Sequence, residues 1–264
     1  AQTFADWQKK AGEIAFKLPE LNPYIPDDFS LIKTTKDYPH PELIIDEPTL
    51  RVVYTPSRYF ASEPKADVSV VLRNPKAMNS AKNQVMFALN DYLAGIALDQ
   101  LSNQAAVGGI SFSTNANNGL MLNANGYTQR LPQLFQALLE GYFSYTPTEE
   151  QLEQAKSWYA QMMDSAEKGK AYDLALMPAQ MLSQVPYFQR EDRRALLPSI
   201  SLKDVLAYRD ALKTNTRPEF LIVGNMSEEQ AKTLAQNVRT QLGSKGDEWC
   251  RNQDVLVEKK QNVI

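Results

Sequence analysis

GGISFSTNANNGLMLNANGY, residues 108–127, has the pattern of a β-hairpin: two runs of alternating residues on either side of Asn117, Asn118 and Gly119. Asn and Gly tolerate the positive φ angles that tight hairpin turns require. Nearly every polar residue in the segment is an uncharged Ser, Thr or Asn, and long helical patterns lie on both sides of it. The segment therefore predicts a hairpin that packs one of its faces against helices.

The length of the turn sets which residues lie opposite each other. A three-residue loop over 117–119, with Gly119 at positive φ, gives the pairs Ala116–Leu120, Thr114–Leu122 and Phe112–Ala124. One face is then mostly apolar, whereas a two-residue Asn-Gly loop gives less consistent faces. Met121 aside, the other face collects the candidate site residues Ser111, Ser113, Asn115, Asn123 and Asn125. This polar face is either simply hydrated or part of a binding surface, and the residues alone leave both alternatives open.

Outside the hairpin, strand and helix patterns are segregated along the chain. Strand-like composition occurs at 29–33, 42–47, 50–56 and 66–74, and as a buried strand at 219–224. Helical periodicity occurs at 3–17, 79–104, 129–144 and 170–184, and after the N-cap residues Thr148, Ser201 and Ser227. The helix after Thr148 is predicted to bury Leu152, Ala155, Tyr159 and Met162. This order predicts an α+β fold with a mostly antiparallel sheet and helices packed on one face.

Domain boundaries are expected around a proline-rich stretch. LPELNPYIPDDF contains Pro19, Pro23 and Pro26, which fix φ and remove backbone donors, so it should form an extended connector. We expect 1–18 to be a helix left from a preceding domain, 19–29 the connector, 30–243 the main domain, and 244–264 a linker toward a following domain. The first residues, AQTFADWQKK, have neither a signal-peptide pattern nor an initiating Met, which suggests a fragment of a longer chain.

Composition excludes several classes of function. The net charge of −3 gives no overall positive field for nucleic acid. No apolar run approaches the ~20 residues of a membrane span, so no membrane partner is expected. The mixed charges of QREDRRALL, residues 189–197, suit a solvated helix face.

Catalytic and metal sites are expected to be absent from this chain. It contains one cysteine, Cys250, and one histidine, His40, which lies between prolines and is expected on a surface loop. Zinc sites need several His, Cys or carboxylate ligands, and hydrolytic triads need a histidine base. Glu149 and Glu150 are adjacent at a helix start, where they favour the macrodipole rather than acid–base chemistry. We therefore predict no catalytic residue, no metal ligand and no cofactor in the chain itself.

The connector LNPYIPDDFSL and the segment ALNDYLAGIALDQLSNQAAVGGISFSTNANNGLMLNANGYTQRLPQLFQALL together resemble the pitrilysin/insulysin family of zinc endopeptidases. The likeness covers essentially the whole chain, from the end of the family's second domain through its third. The resemblance implies four homologous α+β domains in two bowl-shaped halves around a peptide-sized chamber. Zinc and its His-x-x-Glu-His motif belong to the first domain, and the corresponding helix here, NQVMFALNDYLAGIALDQL, has no histidine.

Two functional hypotheses follow from the resemblance. The first is a non-catalytic third domain of a zinc endopeptidase that degrades small polypeptides in the bacterial periplasm. In that case the chain helps to wall the chamber, packs against neighbouring domains, and its polar hairpin face suits varied peptide backbones. The second is a free-standing structural or interaction domain of the same fold with no peptidase role. An upstream His-x-x-Glu-His in the reading frame is required by the first hypothesis only.

Overall fold

The structure is a computed structural model that describes residues 3, 4, 6, 7, 20–33, 36–74, 77–116, 119–170, 172 and 187–244. The described strands are β1 Glu42–Glu47, β2 Leu50–Thr55, β3 Lys65–Arg73, β4 Ser111–Ala116, β5 Gly119–Tyr127 and β6 Arg217–Gly224. The described helices are α1 Ala81–Val107, α2 Leu131–Ser144, α3 Glu149–Glu167, α4 Arg190–Leu196, α5 Leu202–Thr214 and α6 Glu228–Leu242. Short 3₁₀ turns precede α2 and follow α4.

The strands form one sheet in the order β1-β2-β6-β3-β5-β4. Four of the neighbouring pairs are antiparallel, and β2 with β6 is the parallel one. The predicted α+β fold with a mostly antiparallel sheet is therefore confirmed. The late strand β6 lies in the middle of the sheet, where it joins the β1–β2 hairpin to β3.

Alternation along the strands places the core on one side of the sheet. In β3, Val68, Val70 and Leu72 have no exposed surface, while Ser69 and Val71 on the other side are half-buried. Leu120, Leu122 and Ala124 continue the buried side in β5. The helices α2 and α6 contact the sheet on this side, together with part of α1. We call the opposite side of the sheet, turned away from these helices, the open face.

The predicted strand at 29–33 is wrong, because these residues pair with no strand among those described. The Ile32 N–H donates instead to Asn225 Oδ1 at 2.7 Å, and the Phe29 ring packs edge-to-face on Tyr127 at 5.2 Å. The stretch is thus held by side chains at the ends of β5 and β6. Upstream, the connector is anchored by Tyr24, which is buried, and by Asn22, whose amide donates to the Gln104 carbonyl at 2.8 Å.

The predicted N-caps are confirmed. Thr148, Ser201 and Ser227 each accept from the backbone N–H three residues on, and each forms a complete capping box. One detail of α3 is wrong: Met162 is 42% exposed, and Met163 is buried in its place. The charged segment around 190–196 is a solvated helix, as expected. The helical prediction for 170–184 lies almost entirely outside the described residues, as does most of that for 3–17.

Candidate functional site

The hairpin has the register that its sequence predicts. Ala116 lies opposite Leu120, Thr114 opposite Leu122, and Phe112 opposite Ala124. Asn117 and Asn118 lie outside the described residues, but Gly119 has a φ of 137°, which L-residues with a β-carbon rarely adopt. A β-carbon at Gly119 would also collide with the Leu72 carbonyl oxygen. Gly119 is therefore required both by the turn and by the close packing of β5 on β3.

The five candidate residues lie together on the open face at one end of the sheet. Ser111, Ser113, Asn115 and Asn125 are exposed, and Asn123 is half-buried. The Ser111 hydroxyl donates to Asn125 Oδ1 at 2.9 Å across the hairpin, and the Asn115 amide donates to Ser113 Oγ at 3.4 Å along the strand. The polar face is therefore an accessible, uncharged network of donors and acceptors.

The open face becomes apolar toward the middle of the sheet. Asn123 lies opposite Ser69, which lies opposite Leu221, and the same row continues through Val53 to Leu43. Leu221 and Leu43 are 45% and 47% exposed, respectively. The exposure of Leu221 was not predicted, because the apolar run at 219–224 indicates a buried strand. The open face thus combines hydrogen-bonding groups at the hairpin with an accessible apolar centre.

A network of charged side chains lies at the end of the open face, near the start of β6. The Arg217 guanidinium, whose side chain is only 4% exposed, contacts Glu219 at 2.8 Å and Asp46 at 3.2 Å. Arg73 reaches the other oxygen of Glu219 at 2.6 Å. Arg217 also donates to the Glu47 carbonyl, which ties β6 to the end of β1. These groups satisfy one another and anchor the strands.

A second polar cluster lies behind the hairpin, between α1, α2 and β4. The Tyr142 hydroxyl donates to Asp91 Oδ1 at 3.1 Å, and the Thr114 side chain also hydrogen-bonds Asp91. Tyr145 donates to Asn90 Oδ1 at 2.7 Å. Burial raises the pKa of the Asp91 carboxyl and raises that of Tyr142 well above its ordinary value. The cluster lies on the helix side of the sheet, and its donors hold β4 to the helices.

A groove of about 340 Å³ lies between the first turns of α1 and the length of α5. Lys82 and Asp204 form an ion pair at 3.1 Å in its lining, and Tyr208 donates to the Ala77 carbonyl. Hydrogen bonds from Ser201 hold the pKa of Asp204 below its ordinary range. The described lining contains no His, Cys or Ser.

Zinc does not fit the residues that the structure describes. The 264-residue sequence has one histidine, so it cannot supply a His-x-x-Glu-His motif. His40 is exposed on a bend, and Cys250 lies outside the described residues. Asn90 and Asp91 of the long helix α1 are hydrogen-bonded to tyrosines. In the part of the chain that the structure describes, no three His, Cys, Asp or Glu residues cluster in a way that could hold a metal ion.

Fold and surface together define an α+β domain in which helices cover one face of a mostly antiparallel sheet. The chain belongs to the family described as the middle or third domain of peptidase M16, whose model matches residues 1–195. The resemblance predicted from the connector, the long helix and the hairpin is thereby confirmed. None of the described helices combines the length and apolar composition that a membrane-spanning helix needs.

Curated relatives extend well beyond this chain. It is 80% identical over 264 residues to Protease 3 of Shigella flexneri and to Protease 3 of Escherichia coli strain K12, covering 27% of each protein. It is 23% identical over 238 residues to the insulin-degrading enzyme of Bos taurus, covering 23% of that protein. The chain thus spans about a quarter of the length of the relatives it matches.

Solved structures agree on the fold. A crystal structure of pitrilysin superposes with a TM-score of 0.89 at 80% identity, over 96% of this chain and 27% of that one. The peptidase M16 inactive domain from Pseudomonas fluorescens superposes with a TM-score of 0.57 at 15% identity, over 78% of this chain and 51% of that one. The second match shows the shared fold alone.

Proposed function

We propose that this chain is the non-catalytic third-domain part of a periplasmic zinc endopeptidase that degrades small polypeptides. The chain supplies no zinc ligand in this proposal, and the metal and its water-activating glutamate belong to a different domain of the longer protein. Residues 1–18 belong to the end of the preceding domain, 19–29 to the connector, 30–243 to the third domain, and 244–264 to the linker toward the next. The 80% identity to Protease 3 over the full chain supports this assignment.

The specific role that we propose is to form part of the wall of a peptide chamber. The observation that carries it is the chemistry of the open face: uncharged donors and acceptors on the polar face, next to the accessible side chains of Leu43 and Leu221. Uncharged polar groups can satisfy peptide backbones of any sequence, and an apolar centre favours contact with hydrophobic side chains. Neighbouring domains and the peptide substrate are the partners that this role requires.

A charge-placement experiment in the longer protein tests this role. Asn115→Asp with Asn123→Asp puts two negative charges on the open face without changing side-chain size. Gln133→Glu with Gln154→Glu adds the same charge to exposed positions of α2 and α3 on the helix side. If the open face meets the substrate, the first pair raises the kcat/KM ratio of a basic over an acidic quenched-fluorescent peptide, since attraction increases the local substrate concentration. The second pair leaves the ratio unchanged, and equal ratios for both pairs contradict a chamber role.

The reading frame separates this proposal from a free-standing structural or interaction domain. A zinc endopeptidase requires His-x-x-Glu-His upstream of residue 1, and an interaction domain does not. The chain by itself is expected to show no hydrolysis of the same peptides when zinc is added. Chelator-sensitive cleavage by the purified chain, free of the longer enzyme, would contradict the non-catalytic assignment.

A further inference from the structure

The sheet ends in two edge strands with different chemistry. β1 carries three acidic residues in six, and its register to β2 shifts between Leu43 and Ile45. Charges and bulges of this kind prevent another strand from pairing with an edge. β4, with the sequence SFSTNA, has no charge and no proline, and its register to β5 is unbroken over six pairs. The β4 edge therefore lacks the protection that β1 has.

The outer edge of β4 presents backbone groups in strand geometry. In an antiparallel pair, alternate residues direct their N–H and C=O groups away from the partner strand. Within the described residues, β5 is the one strand that pairs with β4, and no backbone hydrogen bond joins Ser111–Ala116 to any other element. The Ser111, Ser113 and Asn115 side chains line this edge on the open face, and all three are exposed.

In the described part of the chain, the helix beside this edge leaves room for another segment. Asp91 of α1 hydrogen-bonds Thr114 of β4, so this side of the helix faces the strand. Gly95 follows one turn later on the same side, is exposed, and has no atom within 4 Å of the position of an added β-carbon. Glycine inside a helix costs about 0.5–1 kcal/mol relative to alanine. Among the described residues, packing does not require this glycine, and the Asp91–Thr114 hydrogen bond places this side of α1 beside β4.

We infer that the outer edge of β4 binds an extended peptide, which adds to the sheet as a further strand. Backbone donors and acceptors that alternate at strand spacing are matched by another extended polypeptide, so the hydrogen bonds define the ligand class. Alternate peptide side chains would lie beside Ser113 and Asn115 on the open face or beside Phe112 and Gly95 on the helix side. This inference rests on the proposed function, because it takes peptides as the natural ligand.

A second copy of the chain fits this edge less well. β4 offers six residues to a partner strand, whereas a stable protein–protein interface uses about 20–30 residues on each side. Pairing of two β4 strands alone would therefore bury too little surface to hold a dimer. A short peptide needs no larger interface, because its backbone hydrogen bonds and alternate side chains make the contact.

Peptide backbone methylation provides the first test. The probe is a short fluorescent peptide in which valine and threonine alternate between terminal lysines, titrated against the 264-residue chain by fluorescence anisotropy. Methylation of every backbone nitrogen removes the donors from both edges of the peptide and is expected to weaken binding at least about tenfold. Methylation at the valines alone leaves one edge intact and should preserve binding. Equal binding of all three peptides, or binding of none, would overturn the inference.

The Gly95 position provides a matched pair of variants. Gly95→Leu fills the space beside β4 with a good helix former and should weaken peptide binding about tenfold. Gly95→Ala improves the helix equally well but adds one methyl group, and should change binding by less than about twofold. Because both variants favour the helix, loss of folding does not explain a difference between them. Equal binding by both variants contradicts a peptide that lies in this space.

Amide hydrogen exchange locates the bound peptide. Saturating peptide should slow exchange at alternate residues within Ser111–Ala116 and leave β1 unchanged. Slower exchange in β1 on addition of peptide would overturn the inference. Slower exchange in β4 without peptide, together with concentration-dependent dimerisation, would also overturn it, because a second copy of the chain would then occupy the edge. If the β4 inference is wrong, the 264-residue chain does not bind the peptide at β4. If the chamber role is wrong, the kcat/KM ratio of basic over acidic peptides stays unchanged in the longer protein.

Discussion

The two faces of the same sheet differ in burial. On the helix side, Val70, Leu122 and Phe220 lie in one row across β3, β5 and β6 and are buried. On the open face one residue further along, Ser69, Asn123 and Leu221 form the parallel row and remain accessible. Strand alternation alone separates the residues that hold the fold together from those available for contact. Substitutions matched across the two faces should therefore differ in their effect on stability.

The largest difference is expected between two leucines. Leu122→Ala on the helix side should lower the free energy of unfolding by about 2–5 kcal/mol, since it leaves a cavity in a close-packed core. Leu221→Ala on the open face should lower it by less than about 1 kcal/mol, because this side chain is 45% exposed. Urea unfolding monitored by circular dichroism measures both values. Equal losses would mean that the open face is packed as tightly as the core.

Arg217 is the open-face residue expected to behave like the core. Arg217→Met should cost about 2–3 kcal/mol, because it removes the hydrogen bonds that the buried guanidinium donates to Glu219 and to the Glu47 carbonyl, and leaves Arg73 as the ion-pair partner of Glu219. Arg58→Met is the control: its ion pair with Asp37 is exposed on both sides and should contribute less than about 0.5 kcal/mol. Similar unfolding midpoints for the two variants would show that the Arg217 network contributes little to stability.

Asp91 is an ionisable residue on the mostly apolar helix side, and its contribution to the free energy of unfolding should depend on pH. Burial raises its folded-state pKa, so the folded chain binds the proton more tightly than the unfolded chain does. Stability is therefore lost as pH rises from the unfolded value of about 4 through the folded pKa. Asp91→Asn removes this titration and keeps an acceptor for Tyr142. The variant should gain stability relative to the parent between pH 4 and pH 7, measured by urea unfolding, and a pH-independent difference would contradict the assignment.

Local signals predicted much of this fold. The hairpin register follows from Gly119 and the alternation of 111–125, and the helix starts at Thr148, Ser201 and Ser227 follow from capping chemistry. These features depend on residues close together in sequence. The resemblance to the pitrilysin/insulysin family likewise depended on the connector and the hairpin.

Features that depend on distant residues were not predictable. β6 lies between β2 and β3, so Leu221 has one side open, although its sequence neighbours suggest a fully buried strand. The burial of Arg217 depends on acceptors at Asp46 and Glu47, about 170 positions earlier in the chain. The stretch at 29–33 has strand composition but satisfies its backbone through Asn225. In each of these three examples, contacts with residues distant in the sequence determine the structure, rather than local propensity.

The smallest effects on stability are expected on the polar face. Ser113→Ala and Asn125→Ala should each change the free energy of unfolding by less than about 0.5 kcal/mol, because both side chains are exposed and water replaces their hydrogen bonds. The measurement is again urea unfolding, with Leu122→Ala as the large-effect reference. If either variant lowered the free energy of unfolding as much as Leu122→Ala, the side chains of the polar face would be needed for the stability of the fold. Near-zero changes in the free energy of unfolding would mean that the fold does not need these side chains. They are then available to contact a peptide, as a peptide-binding surface requires.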